Sequence, residues 1–168
     1  LEHYCQDERI RMGEDNAFIF ECMLESQSVY FLTEYFYMYN QQNAGSIRSN
    51  YDARRFENNK YLTDYMSEHL KGINAEMDRQ FNVFKAYWLI MAVFHEVKCG
   101  RPLLKSSKHI KKSVKKYKIL ENINFYELPI EAKLYIALLK AHCYVGALLA
   151  AREIEFIRGL RNKGINNG

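Results

Sequence analysis

A chain of 168 residues with 48% hydrophobic content can bury one domain-sized core, which excludes a disordered tail or a small disulfide-stapled scaffold. Its 8 glycines and 2 prolines, set against 13 tyrosines and 10 phenylalanines, favour long helices over a many-turned β fold. The net charge of +4 is unevenly spread: residues 1–57 hold five arginines against ten carboxylates, whereas residues 97–120 hold nine lysines or arginines and no acid.

The first residue is Leu, and LEHYCQDERI carries no signal pattern or helix cap, so the chain reads as part of something longer. Glu14 and Asp15 then stand before NAFIFECMLE, a run apolar on all sides except at Glu21, which predicts a largely buried helix. Two acids at such a position have a plain structural role. They are favoured by the helix dipole and accept bonds from free N–H groups of the first turn. Val29-Tyr30-Phe31-Leu32 and Phe36-Tyr37-Met38-Tyr39 have the aromatic and β-branched character of two short strands, and NQQNAGSIRSN (40–50) reads as a loop.

The order Gly13-Glu14-Asp15, helix, VYFL (29–32), YFYMYN (35–40) and AGSI (44–47) resembles the closing part of the catalytic domain of bacterial family 2 glycosyltransferases. These are inverting enzymes of the GT-A fold, many of which build surface glycans, and the likeness covers about residues 8–52. It implies that Asp15 is the general base that takes the acceptor hydroxyl proton, with Glu14 orienting the acceptor or the local backbone. Tyr39, Gly45 and Ser46 match positions near the donor. Relatives often carry Arg just after Tyr39, where this chain reads Asn40-Gln41-Gln42; Arg48 is the candidate replacement, with an ordinary loop arginine as the equal alternative. The nucleotide-binding half, with its Asp-x-Asp motif for a divalent metal (Mg or Mn), does not occur in this sequence. The resemblance therefore implies a nucleotide sugar and a glycan acceptor for the intact enzyme, and neither a metal site nor transfer activity for these residues alone.

From about residue 53 the pattern turns helical. Tyr61, Leu62, Tyr65, Met66, His69 and Leu70 recur at helical spacing; a second helix is marked by Met77, Phe81, Phe84, Trp88, Met91 and Val97 and stops at Gly100 and Pro102. The aromatic seam of that helix, Phe81, Phe84, Tyr87, Trp88, Met91 and Phe94, reads as core, or as a homodimer face if partly exposed. A third helix, about 105–120, sets Ile110, Val114 and Tyr117 against lysines. For the lysine face of 105–118 a solvated surface is the plain reading, an anionic membrane surface the next, and nucleic acid the last. Pro129 opens one long last helix with core positions Leu134, Leu138, Ala141, Val145, Leu148 and Phe156, and RNKGINNG frays.

Cys5, Cys22, Cys99 and Cys143 form no C-x-x-C pair, which suits a reducing compartment rather than a disulfide framework. His95 and Cys99, four residues apart, lack further metal ligands nearby and read as packing. No apolar run reaches the roughly 20 residues of a bilayer span. The expected fold is mainly α: residues 1–52 as the helix-plus-short-strands end of a GT-A-like domain, and residues 53–168 as a bundle of about four helices. The expected function is part of an inverting glycosyltransferase in the cytoplasm, peripheral at the inner face of the membrane. The alternative is a non-enzymatic helical module whose basic helix binds a membrane or a protein partner.

Overall fold

The computed structural model describes residues 8–34, 51–70, 73–98 and 100–165, the last seven of these by backbone alone. The mainly helical expectation holds. Six α-helices follow one another: α1 (Glu14–Glu25), α2 (Arg55–Leu70), α3 (Ala75–Lys98), α4 (Leu103–Tyr117), α5 (Ile130–Lys140) and α6 (Tyr144–Ile165), with a short 3₁₀ turn at Phe125–Glu127 before α5.

The helix ends have identifiable chemistry. Asn74 Oδ1 accepts the Met77 N–H at 2.9 Å and so caps α3, which carries Glu76 and Asp78 in its first turn. At the other end Gly100, with φ 65, and then Pro102 stop it as expected. Lys118, at φ 52, ends α4.

The expectation of a single last helix is corrected to two, so the described residues after 53 form five helices rather than about four. The break is a Schellman turn. Cys143 N–H donates to Leu138 O at 2.8 Å, His142 N–H donates to Leu139 O at 3.1 Å, and His142 adopts φ 58. Glycine normally fills that left-handed position, and His142 gave no such signal. The turn also resets the inward face. Leu134, Ala141 and Phe156 are exposed, Leu138 and Val145 half-buried, and only Leu148 of the expected set is buried. The inward positions are instead Ala132, Tyr135, Ile136 and Leu139 on α5, and Tyr144, Ala147 and Ala151 with Leu148 on α6. The helix then runs on to Ile165, through most of the stretch expected to fray.

Two hydrophobic cores result. The larger joins Phe56, Leu89, Val93, Ile110, Ile136 and Leu148 across α2 to α6. The smaller contains Ile10, Ala17, Leu62, Met66, Leu70 and Phe81, so the front segment packs on α2 and α3. Residues 16–25 are not largely buried, contrary to the all-round apolar pattern. Ala17 is the one fully buried residue of α1, and Phe18, Ile19 and Met23 are exposed. A single neighbouring surface can cover only one face of a helix, whatever the sequence offers on the others.

Val29–Leu32 is likewise not a strand. No strand occurs among the described residues; this segment is irregular and open, with Phe31 93% exposed. β propensity is largely a preference for packing within a sheet, and among the described residues no partner strand supplies that packing. The Phe36–Tyr39 segment lies outside the described residues.

Candidate functional site

The Gly-Glu-Asp triplet sits where the front segment turns into α1. Gly13 is its N-terminal cap residue, at φ 88 and ψ 16, in the left-handed region. A Cβ there would lie 2.8 Å from both Leu62 Cδ2 and Trp88 Cη2. The residue is thus fixed twice, by its backbone angle and by close approach to α2 and α3.

Just upstream, the buried side chain of Asn58 holds the chain like a partner strand. Its Oδ1 accepts Arg11 N–H at 2.6 Å and Met12 N–H at 3.1 Å, while its Nδ2 donates to Met12 O at 2.7 Å. A third tie joins α1 to α2: Tyr65 donates its hydroxyl hydrogen to Glu21, whose carboxylate also lies 3.4 Å from His69 Nε2. These anchors predict that Gly13→Ala and Asn58→Ala each destabilise the protein by about 2 kcal/mol, the first through overpacking and left-handed strain, the second through lost and unsatisfied hydrogen bonds. Urea unfolding measures the loss, and limited proteolysis within residues 8–25 should quicken in both variants.

The carboxylates themselves face outward. Asp15 is exposed, and its Oδ1 accepts the Asn16 backbone N–H at 2.8 Å and the Asn16 Nδ2 at 2.9 Å. Glu14 is half-buried beside it. A polar groove of about 350 Å³, which none of the three triplet residues lines, is formed by Glu8, Arg9, Arg11, Asp52, Arg54 and Glu57, together with Asn58 and Tyr61; the Arg9 guanidinium lies over the Tyr61 ring at 5.1 Å. Its lining holds three guanidinium donors and three carboxylate acceptors, which suits hydroxyl-rich ligands better than apolar ones. Tyr39, Gly45, Ser46 and Arg48 lie outside the described residues, so of the expected site only Glu14 and Asp15 have a described position.

A second polar constellation escaped the sequence reading. Glu96, 1% exposed on α3, lies 2.7 Å from His109 Nδ1, 3.1 Å from the Tyr51 hydroxyl that donates to it, and 3.5 Å from Arg101 Nη1. Arg101 also hydrogen-bonds the Tyr51 hydroxyl and lies over its ring, 4.9 Å from the centroid. On its other side Tyr51 stacks against His95 at 5.6 Å, and His95 Nε2 accepts the Asp52 N–H at 2.9 Å. The knot fixes the chain that enters α2 to α3 and α4. Its one sequence signal was a lone carboxylate within the apolar run LIMAVFHEV.

Burial, and then the Arg55 guanidinium, hold His95 below the usual imidazole range, against the smaller opposing pulls of Glu96 and Asp52. The unfolded chain therefore takes up this proton first. The stabilisation from neutral His95 is complete above its unfolded value of 6.5 and is lost as pH falls through its lower folded value. A thermal midpoint that drops between about pH 7 and about pH 5, by less in His95→Gln, is the expected result.

A cavity of about 480 Å³ opens between α3, α5 and α6, floored by Ile90, Met91, Phe94 and Ile154 and edged by Lys98, Glu155 and Arg158. Glu155 lies 3.7 Å from Lys98 and 3.1 Å from Arg158. Tyr135 lines this cavity, its buried hydroxyl without a hydrogen-bond partner and its phenol pKa pushed up by burial. Tyr87 and Met91, from the aromatic seam expected to be core, are exposed along the same wall.

Among the described residues, no group of three or more His, Cys, Asp or Glu could hold a metal ion. The nitrogen His95 would offer is already engaged by Asp52, and Cys99 lies outside the described residues. Compared with protein-family models, with curated proteins and with solved structures, the chain matches none.

Proposed function

We propose that the chain is the acceptor-side end of the catalytic domain, together with the helical C-terminal domain, of an inverting glycosyltransferase that uses a nucleotide sugar and a surface-glycan acceptor. The observation that carries this reading is the setting of Asp15. Its carboxylate is exposed in the first turn of a helix and, among the described residues, accepts hydrogen bonds from its neighbour Asn16, while Gly13 and Asn58 fix the backbone around it. A general base needs an ionised oxygen that is free to meet a proton and cannot drift away from it.

In the proposed reaction the acceptor hydroxyl oxygen attacks the anomeric carbon from the face opposite the nucleotide. Asp15 takes the hydroxyl proton as the new C–O bond forms, and the nucleoside diphosphate departs with the electron pair of the bond that breaks. Glu14 orients the acceptor or the turn, and the polar groove of Arg9, Arg11 and Arg54 with Glu8, Asp52 and Glu57 receives the acceptor's hydroxyl groups. Tyr39, Gly45, Ser46 and Arg48 are assigned to the donor side. The divalent metal belongs to the nucleotide-binding half.

The reading makes the cytoplasmic face of the membrane a natural place of work; no described helix is long and apolar enough to cross one. A second reading, a non-enzymatic helical module, draws its support from the exposed lysine face of α4. Asp15→Asn in the enzyme carrying both halves separates the two: transfer that survives the substitution removes the glycosyltransferase mechanism proposed for this site.

A further inference from the structure

We infer that the outward face of α4 docks this protein on an anionic lipid surface by charge alone, without insertion of the helix. The inference does not depend on the glycosyltransferase reading. α4 is the most strongly two-sided helix of the chain: Ser106, Ile110, Ser113 and Val114 are buried, while Lys105, Lys108, Lys111, Lys112, Lys115 and Lys116 are all exposed. At 100° per residue the six lysines fall within an arc of about 140°, along a helix about 22 Å long. None of the six forms an ion pair with a carboxylate among the described residues; Lys116 donates to the Tyr117 hydroxyl at 2.9 Å. The sequence around them, 97–120, contains no acid. Apart from the pull of Tyr117 and Glu57 on Lys116, their charge is therefore not spent within the fold, and it faces one direction.

The packing decides the mode. An amphipathic helix that lies in a membrane buries its apolar face among the acyl chains. Here that face is already taken, with Ile110 and Val114 in the core shared with α2, α3 and α6. What remains outside is ammonium groups and Leu104, 68% exposed near the start of the helix. Binding must then be electrostatic and sensitive to salt.

The same face suits lipid better than nucleic acid. It carries no arginine to fork onto phosphates or base edges, and no aromatic ring is exposed on it for bases to stack on. It is the convex side of one helix rather than a groove. Lysines are point charges that need no fixed partner geometry, as a fluid headgroup layer requires. Each lysine near an anionic bilayer strengthens partitioning about fivefold.

Sedimentation of the 168-residue chain with phosphatidylcholine vesicles, with and without phosphatidylserine, tests the idea. Recovery with the phosphatidylserine vesicles alone, abolished by ~0.5 M salt, is expected. The triple variant K108Q/K112Q/K115Q should lose about 100-fold in vesicle affinity. Its substitutions are all on the exposed face, and circular dichroism checks that the fold is retained. Equal recovery on both vesicle types, salt-resistant binding, or a triple variant that binds like the parent overturns the inference. So does tight binding of duplex DNA or RNA by a chain that ignores the vesicles, an outcome that would assign the face to nucleic acid.

Discussion

Asp15→Asn is expected to slow sugar transfer by about 10²–10⁴-fold in the enzyme carrying both halves, with the protein as well folded as before. The size follows from the step that is lost: an amide cannot take a proton from the acceptor hydroxyl in the transition state. The silence of the fold follows from the local geometry. Asp15 is exposed, and its Oδ1 accepts from the backbone and side chain of Asn16, bonds that an amide oxygen can also accept. What the helix loses is a first-turn anion, worth about 0.3–1 kcal/mol. Transfer and stability should therefore separate in one variant. Measured kcat for transfer, nucleotide-sugar affinity and the urea midpoint are the three readouts, and only the first should move far. Glu14→Gln should act more weakly on kcat, because orienting an acceptor is a smaller contribution than removing its proton.

Glu96→Ala is the counterpart, a large loss of stability at a site with no proposed part in transfer. Its carboxylate gathers His109, Tyr51 and Arg101, and hydrogen bonds to charged groups are worth about 1.5–3 kcal/mol each. The sum is not the expected cost, since the side chains of Arg101 and His109 are 32% and 21% exposed and can turn to water once the carboxylate is gone. About 3 kcal/mol is expected by urea unfolding, against about 1–2 for Glu96→Gln, which keeps an acceptor in place. A double-mutant cycle with His109→Ala should show coupling of at least about 1 kcal/mol, because the two groups share one contact and one buried space. Independent, additive effects would mean that the knot is not a unit.

Much of the bundle was legible in the chain, and the reasons are local. Gly100 and Pro102 stop α3, and the lysine and isoleucine spacing of α4 settles which side faces the core. Where the reading failed, the missing information lay elsewhere in the fold. His142 in a left-handed turn carries no glycine signal, so α5 and α6 looked like one helix. The apolar surround of α1 could not reveal that only one side of it would be covered. Val29–Leu32 looked like a strand because its residues pack well in sheets, and among the described residues it has none to join.

The candidate site divides the same way. A helix opening on Glu14 and Asp15 is readable from the acids and the run that follows. That Asn58, 46 residues after Met12, holds the chain just before them is not, because one asparagine is indistinguishable from another until its neighbours are known. Glu96 left a trace, a charge within an apolar run, but its partners at positions 51, 101 and 109 come from separate segments.

The close approach of Gly13 to Leu62 and Trp88 bears on how this protein can be recombined. A chimaera that joined the first 52 residues to another helical partner would also need a surface with room for that turn, and an amide group to take the place of Asn58. Without both, the loop before Asp15 would lose its seat. Turn and bundle are thus one transplantable piece, and exchanging the helices would unseat the residues before Asp15 along with whatever the exchange was meant to alter.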